Sequence, residues 1–257
     1  MAFARLRSIA RYLARSRRFH AAATPLAWRA GRAECPACGP SLFFSIGRHP
    51  FLTRCLSCRA TVTGLSLVAA IRRIHGEAIA RLCAYELSSY GAAFDFLRVH
   101  AAGLSFSEYF PGEAPGALVD GIRNEDVQDL TFPAERFDLV TSNQVFEHVP
   151  DDLRAFSECC RVLRPGGSLL FAVPLYDYAA TRRLASRNAD GTIAWHGEPE
   201  FHDSRLGGPD SAPTFWRHSR HDIAARVSGA GFTRVEILDI VVTPLQGEPS
   251  PVVHAVK

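Results

Sequence analysis

A single stretch of the sequence, residues 137–174, restricts the possible folds of this chain most strongly. It contains two short apolar runs, Phe137–Val140 and Ser168–Val173, on either side of a helical pattern. Asp151 and Asp152 stand where a helix start favours acids, and the apolar residues that follow recur at intervals of three and four. The pattern predicts a strand, a helix and a second strand. Because such crossovers are right-handed, the two strands are expected to be parallel and internal.

The predicted helix is expected to bury one face and to end at the sequence RPGG. The apolar residues of that face are Leu153, Phe156, Cys160 and Leu163. Pro165 cannot continue a helix, and Gly166 and Gly167 permit the positive φ of a turn. Residues 164–167 are therefore predicted to form a turn into the second strand.

This stretch resembles a known family. FDLVTSNQVFEHVPD, followed by LRPGG and an apolar strand, is similar to the later half of a class I S-adenosylmethionine (SAM) dependent methyltransferase. The resemblance implies a Rossmann-like, doubly wound α/β sheet, mostly parallel with an antiparallel last strand, and SAM as the cofactor. Strand and helix patterns alternate from Arg81 to Lys257, so the resemblance covers about two thirds of the chain. Phe232–Ile240 and Val252–Val256 are expected to form the final antiparallel hairpin.

The resemblance assigns the cofactor loop to residues 86–91, between a strand at Leu82–Leu87 and a helix. In the family this loop usually follows an acid-x-Gly-x-Gly-x-Gly pattern. Here Glu86 fills the acid position, Ser88 stands where the first glycine is usual, and Gly91 is the glycine retained. Glycines let the backbone approach a cofactor closely, so this loop departs from the pattern. Taken alone, the residues also fit an ordinary strand-to-helix turn.

The other cofactor positions implied by the resemblance follow the next strands. Glu108 ends a strand predicted at residues 104–109, where a carboxylate can accept both ribose hydroxyls of a nucleoside. Asp126 follows a third strand and takes the place of the acid that accepts from the adenine amino group. Asn143 and Gln144, after the fourth strand, are expected to face the methionine part of SAM or the substrate.

Glu147 and His148 permit two interpretations. In some quinone O-methyltransferases with a similar helix start, acids and a histidine at these positions bind a divalent ion. Gln144 replaces one of those acids here. We therefore favour a hydrogen-bonded structural pair over a metal site.

Four cysteines form two C-x2-C pairs that are separated by sixteen residues. They are Cys35, Cys38, Cys55 and Cys58. Two such pairs complete the four-thiolate shell of a structural zinc ion, which leaves no open position for catalysis. Residues 34–64 are therefore predicted to form a zinc ribbon. Disulfides or free thiols are the disfavoured alternative, since no secretion signal is visible. The other cysteines, Cys83, Cys159 and Cys160, are predicted core residues.

Residues 1–33 contain eight arginines and no acid, which leaves the rest of the chain acidic. A docking amphipathic helix, an organelle transit-like segment and a surface for anionic lipid or RNA remain open for this basic segment. Residues 65–80 predict a linking helix between the ribbon and a methyltransferase domain at 81–257. No apolar run is long enough to span a bilayer, and we expect a soluble, cytoplasmic protein.

Residues 176–220 are too many for a plain connection in a compact domain, and they are predicted to form a substrate cap. His202 and His196 lie in this insertion, and either is a candidate general base if the acceptor must lose a proton. Each also fits an ordinary surface histidine.

These features predict methyl transfer from SAM to a small molecule or glycan-like metabolite held under the insertion. Two alternatives remain. One is an RNA methyltransferase that uses the ribbon and the basic segment to hold phosphates. The other is a non-catalytic binding protein that keeps the fold with a degraded cofactor loop. The sequence does not determine the oligomeric state.

Overall fold

The structure, a computed structural model, describes residues 28–47, 50–204 and 208–257. Most of the basic segment therefore lies outside the described residues, and its three interpretations stay open.

A small antiparallel sheet comes first in the described chain. Its strands, paired in the order β1-β2-β3, are β1 (Arg29–Cys35), β2 (Gly39–Ser45) and β3 (Thr53–Cys55). β1 begins at Arg29, so the sheet includes residues that the sequence assigned to the basic segment. One C-x2-C pair lies in the turn between β1 and β2, and the other starts at the end of β3. The antiparallel pairing thus brings the two pairs to the same end of this sheet.

Six strands of a larger sheet follow. They are β4 (Cys83–Glu86), β5 (Gly103–Glu108), β6 (Leu118–Val119), β7 (Ile122–Asn124), β8 (Phe137–Asn143) and β9 (Leu163–Ala172). β4, β5, β7, β8 and β9 are parallel where they pair, whereas the short edge strand β6 is antiparallel to β7.

The insertion predicted at 176–220 consists of short strands rather than an irregular loop. They are β10 (Leu175–Tyr176), β11 (Arg182–Arg183), β12 (Ala185–Arg187), β13 (Ile193–Trp195), β14 (Phe201–Ser204), β15 (Gly208–Pro213) and β16 (Trp216–Ser219). β12 pairs with β13 and β14 with β15, while β16 lies between β10 and β11.

The last two strands complete the large sheet. They are β17 (Arg234–Ile240) and β18 (Ser250–Val256). The strand order is β17-β18-β9-β8-β4-β5-β7-β6, and β18 is antiparallel to both of its neighbours. The predicted Rossmann-like α/β sheet with an antiparallel terminal hairpin is confirmed. The chain builds outward from β4 to β7 and then returns to the other side of β4 with β8, so the strand order reverses between β4 and β8.

Helices cover both faces of this sheet. They are α1 (Val62–His75), α2 (Ala92–His100), α3 (Asp152–Val162) and α4 (Ile223–Ser228). Neighbouring residues of β8 lie in two different apolar clusters: Leu139 packs with residues of α1 and α2, whereas Val140 packs with residues of α3 and α4. This alternation places one core on each face. No helix in the described ranges is long and apolar enough to cross a membrane.

Three local predictions are wrong. Residues 164–167 do not form a separate turn: β9 already starts at Leu163, and these residues bulge out of its pairing with β8. Leu153 on α3 is 45% exposed, because the helix instead buries Asp152, which receives two hydrogen bonds from the Arg226 guanidinium. Cys83 is exposed, since it is the first residue of β4 and lies at the open end of the sheet.

Candidate active site

The reversal point between β4 and β8 carries a buried acid. Glu86 ends β4, is 1% exposed, and lies opposite Thr141 of β8 in the parallel ladder. The Thr141 hydroxyl donates a hydrogen bond to Glu86 Oε2. Burial raises the pKa of Glu86 to about 8, and the nearby carboxylate of Glu108 acts in the same direction. The raised pKa favours the protonated form of this buried carboxyl near neutral pH.

The loop after β4 is held by Glu108 at the end of β5. Glu108 Oε1 accepts hydrogen bonds from Ser89 N at 2.7 Å, Ser89 Oγ at 2.8 Å and Ser88 Oγ at 3.3 Å. Gly91 follows as the N-cap of α2. Its φ of 104° and ψ of 175° form a backbone conformation that residues other than glycine rarely adopt. Ser88, which stands where the first glycine is usual, and Ser89 thus fix the loop through hydrogen bonds to Glu108. A Cβ added at Gly91 would meet nothing within 4 Å, so there is open space beside the loop.

Asp126 lies two residues beyond β7, on the same edge of the sheet as Glu108. The Asp126 carboxylate accepts from the backbone amide of Gln128 at 2.9 Å, and from its side-chain amide at 2.9 and 3.1 Å. These bonds orient the carboxylate. They also mean that an adenine amino group would share or replace a donor from Gln128.

The end of β8 contributes two further polar side chains. Asn143 Oδ1 is buried and has no hydrogen-bond partner within the described residues. Gln144 adopts a φ of 58°, which is uncommon for a residue other than glycine, and its backbone amide donates to Ala172 O at 2.8 Å. An orphaned acceptor beside a strained backbone is typical of a ligand site.

The insertion is anchored directly beyond this strand end. Phe215 N donates to Glu147 O at 2.7 Å, and Trp216 Nε1 donates to Val149 O at 2.8 Å. His148 Nδ1 contacts Pro213 O at 2.8 Å. The segment that follows Asn143 and Gln144 therefore binds the insertion through two backbone carbonyls and the His148 ring.

The two candidate bases occupy different places. His196 is exposed, and its Nε2 pairs with Ser186 Oγ at 2.7 Å within the β12–β13 hairpin. His202 Nδ1 lies 3.2 Å from His148 Nε2, so the structure brings His202, and not His196, to the segment that follows β8.

The predicted hydrogen-bonded pair of Glu147 and His148 is wrong. Glu147 Oε1 lies 3.8 Å from His148 Nε2, and neither Glu147 oxygen has a hydrogen-bond partner within the described ranges. Its side chain is only 1% exposed, and this burial raises the pKa of its carboxyl. The reason is that the His148 ring is turned toward the insertion through its other nitrogen.

The four ribbon cysteines meet at one point. The Sγ atoms of Cys35 and Cys58 are 3.8 Å apart, and those of Cys38 and Cys55 are 3.6 Å apart. All four sulfurs lie within 4.8 Å of one another. A tetrahedral zinc ion with Zn–S bonds of about 2.3 Å separates its sulfurs by about 3.8 Å, so this cluster fits such an ion.

Comparison with known proteins agrees with this geometry. Residues 88–171 match the family described as "Methyltransferase domain". The fold is similar to that of an S-adenosylmethionine dependent methyltransferase from Mesorhizobium loti, with a TM-score of 0.51 at 19% identity over 75% of this chain and 98% of that one. Residues 88–171 thus match a methyltransferase family, and the sheet has the fold of a SAM-dependent methyltransferase.

Curated relatives match part of this chain. A malonyl-[acyl-carrier protein] O-methyltransferase from Methylococcus capsulatus is 43% identical over 77 residues, which are 30% of this chain and 28% of that protein. A ubiquinone biosynthesis O-methyltransferase from Coxiella burnetii is 42% identical over 48 residues, 19% of this chain and 20% of that protein. The chain therefore matches about a quarter of the length of these relatives.

Sequence reasoning missed two partners of the methyltransferase domain's acids. The predicted apolar run stops at Val140, whereas β8 continues to Asn143 and buries the Thr141 hydroxyl against Glu86. Ser89 had no signal, because its contact with Glu108 depends on how the loop folds.

A cavity of about 250 Å³ lies at the amino ends of β4 and β5, at the opposite edge of the sheet from Glu86 and Glu108. Its lining includes Cys83, Gly103 and Arg164.

Proposed function

We propose that this chain transfers a methyl group from SAM to an oxygen atom of a small-molecule acceptor. The observation that carries the proposal is the set of polar groups at the carboxyl ends of β4, β5, β7 and β8. In doubly wound folds, nucleotide ligands bind at these strand ends, next to the reversal of strand order. Three of those groups, Glu108, Asp126 and Asn143, present oxygen acceptors there, as the ribose, adenine and ammonium groups of SAM require.

We assign Glu108 Oε2 to the ribose hydroxyls, because Oε1 already holds the loop through Ser88 and Ser89. Asp126 would accept from the adenine amino group. The orphaned Oδ1 of Asn143 fits the positively charged methionine amine, since a buried acceptor without a donor is costly. Bound SAM supplies an electrophilic methyl group, so the protein chiefly has to orient the acceptor and exclude water.

The acceptor assignment rests on the relatives and on the insertion. Both relatives are named as O-methyltransferases. One name gives malonyl-[acyl-carrier protein] and the other gives ubiquinone biosynthesis. The insertion docks on Glu147 and Val149, next to the proposed methionine position, where it would cover an acceptor. We assign residues 176–220 to substrate covering; of the two candidate histidines, His202 lies beside the segment that follows β8, whereas His196 points to its own hairpin.

We also propose that the four-cysteine cluster binds a structural zinc ion and that the protein works in the cytoplasm. The sulfur separations support the first assignment, and reduced thiolates are typical of the cytoplasm. Cys58→Ser should lower the zinc content by about one ion per chain. Equal zinc content in wild type and variant would contradict the ribbon assignment.

Two measurements test the methyl transfer. Calorimetry should show SAM and S-adenosylhomocysteine binding at micromolar affinity, and no heat at high micromolar cofactor would leave only the binding-protein alternative. Labelled SAM incubated with extract fractions should then label the small-molecule fraction. Label in the RNA fraction, with a steep loss of binding as salt increases, would instead support the RNA methyltransferase.

A further inference from the structure

We propose that Glu147, His148 and His202 bind a divalent transition-metal ion of the zinc class. The first two lie in the 3-10 turn that follows β8, and the third lies on β14 of the insertion. One ligand atom from each lies within 4.8 Å of the others. Because His202 is outside the segment 88–171 that matches the methyltransferase family, the family match does not supply this third ligand.

The three atoms have the spacing of a metal site. Glu147 Oε1, His148 Nε2 and His202 Nδ1 are separated by 3.8, 3.9 and 3.2 Å. The point equidistant from them lies about 2.1 Å from each, within the usual range of Zn–N and Zn–O bonds of about 2.0–2.2 Å. A small contraction of the triangle would allow the ion to sit above its plane with room for a further ligand.

A hydrogen bond behind the His148 ring and a carboxylate behind the His202 ring direct a lone pair of each ring into this triangle. Pro213 O can only accept, so His148 Nδ1 carries the proton and His148 Nε2 does not. Glu200 Oε1 lies 3.4 Å from His202 Nε2 and favours a proton there, which leaves Nδ1 as the metal-facing atom. Glu200 is in turn held by the Arg217 guanidinium. Metal-binding histidines are oriented in this way by carbonyls and carboxylates.

A bound cation accounts for an arrangement that is otherwise unfavourable. A nitrogen of each imidazole ring lies 3.2 Å from the other, beside a carboxylate that is 1% exposed and has no hydrogen-bond partner among the described residues. Buried charges are normally paired or bound to metal. One carboxylate and two imidazoles suit zinc and neighbouring transition metals better than magnesium or calcium.

Three protein ligands leave at least one coordination position open, as in catalytic zinc sites. An acceptor hydroxyl that binds there would lose its proton more readily, a role that rests on the proposed function. Binding of the ion does not depend on the proposed function, because the same three ligands would join the insertion to the turn after β8 in a protein without that activity.

The test is the cobalt content of protein expressed in cobalt-supplemented medium, measured together with its absorption spectrum. Thiolate ligands give cobalt strong near-ultraviolet absorption, whereas one carboxylate and two imidazoles give only weak visible bands. The ribbon and the proposed site are therefore distinguished within one sample. The variants are His202→Gln and Glu147→Gln, and His196→Gln is the matched control because it removes an exposed histidine from the same insertion.

Wild type and His196→Gln should each hold about one more cobalt ion per chain than His202→Gln and Glu147→Gln. The thiolate absorption should stay equal in all four proteins, which shows that the ribbon is intact, and equal urea midpoints should show that the rest of the chain is folded. Wild-type protein whose cobalt is all bound by thiolate overturns the proposal and favours a proton shared between the two rings. Full cobalt content in a folded His202→Gln protein also overturns it. Neither result bears on SAM binding, which calorimetry measures separately.

Discussion

Glu86→Gln should stabilise this protein at alkaline pH and have little effect at acid pH. Burial raises the pKa of Glu86 from its ordinary value of 4.5 to about 8 in the folded chain. Between these values the native state holds a proton that the unfolded state releases. The free energy of unfolding of the wild type therefore falls as pH rises from about 4.5, and the loss is complete above about pH 8. Gln does not titrate, and its carbonyl can still accept from Thr141.

The expected size follows from the raised pKa. Each pKa unit corresponds to about 1.4 kcal/mol, so the folded wild type loses about 3–5 kcal/mol through this group across the interval. This is a large part of the ~5–15 kcal/mol by which domains are usually stable. At about pH 5 the variant and the wild type should differ by less than about 1 kcal/mol.

Urea unfolding followed by tryptophan fluorescence, at about pH 5 and about pH 8.5, measures both differences. Glu113→Gln is the matched control, because Glu113 is an exposed acid in the loop that follows β5. Its effect should not change with pH. A Glu86→Gln protein that is equally destabilised at both pH values would show that Glu86 is ionised in the native state and would refute the argument.

Three further predictions follow from contacts at the same site. Glu108→Ala should weaken SAM binding about ten-fold, since a charge-assisted pair of hydrogen bonds contributes about 1–2 kcal/mol; wild-type affinity by calorimetry, with Glu113→Ala as control, would contradict this. Gly91→Ala should lower the free energy of unfolding by about 1–3 kcal/mol, because its φ of 104° strains other residues; an unchanged urea midpoint would be evidence against that strain. Trp216→Phe removes the hydrogen bond to Val149 O and should speed proteolysis of the insertion, and digestion at the wild-type rate would show that this anchor is unimportant.

The sheet and the cofactor edge were predictable because both depend on local pattern. Leu139 and Val140 enter different cores, as an internal strand with two buried faces requires. Glu86, Glu108 and Asn143 each come at or near the end of a predicted parallel strand, and parallel neighbours end at the same edge. The strand directions alone were therefore enough to place these two acids and the amide on one edge of the sheet. Their assigned roles toward SAM remain predictions.

Other features were not predictable because they depend on contacts between distant residues. Asp152 is buried where Arg226, 74 residues later, pairs with it, so the start of α3 exposes Leu153 although Phe156 and Cys160 of the expected face are buried. The insertion strands contain two to six residues, which is too short for alternation to be recognised. His148 and His202 are 54 residues apart and meet through pairing that no local signal indicates.

The segment 143–150 links the proposed cofactor site to the insertion. Asn143 and Gln144, the proposed cofactor residues, stand at its start, and within the next few residues the backbone oxygens of Glu147 and Val149 accept hydrogen bonds from the insertion. The positive φ of Gln144 bends the chain between these two functions. Because the same short turn also carries the side chains of Glu147 and His148, a metal ion bound there would fix the insertion relative to the cofactor wall. Orientation of the acceptor against the methyl group, which this reaction needs most, would then be set by one rigid turn rather than by a mobile cover.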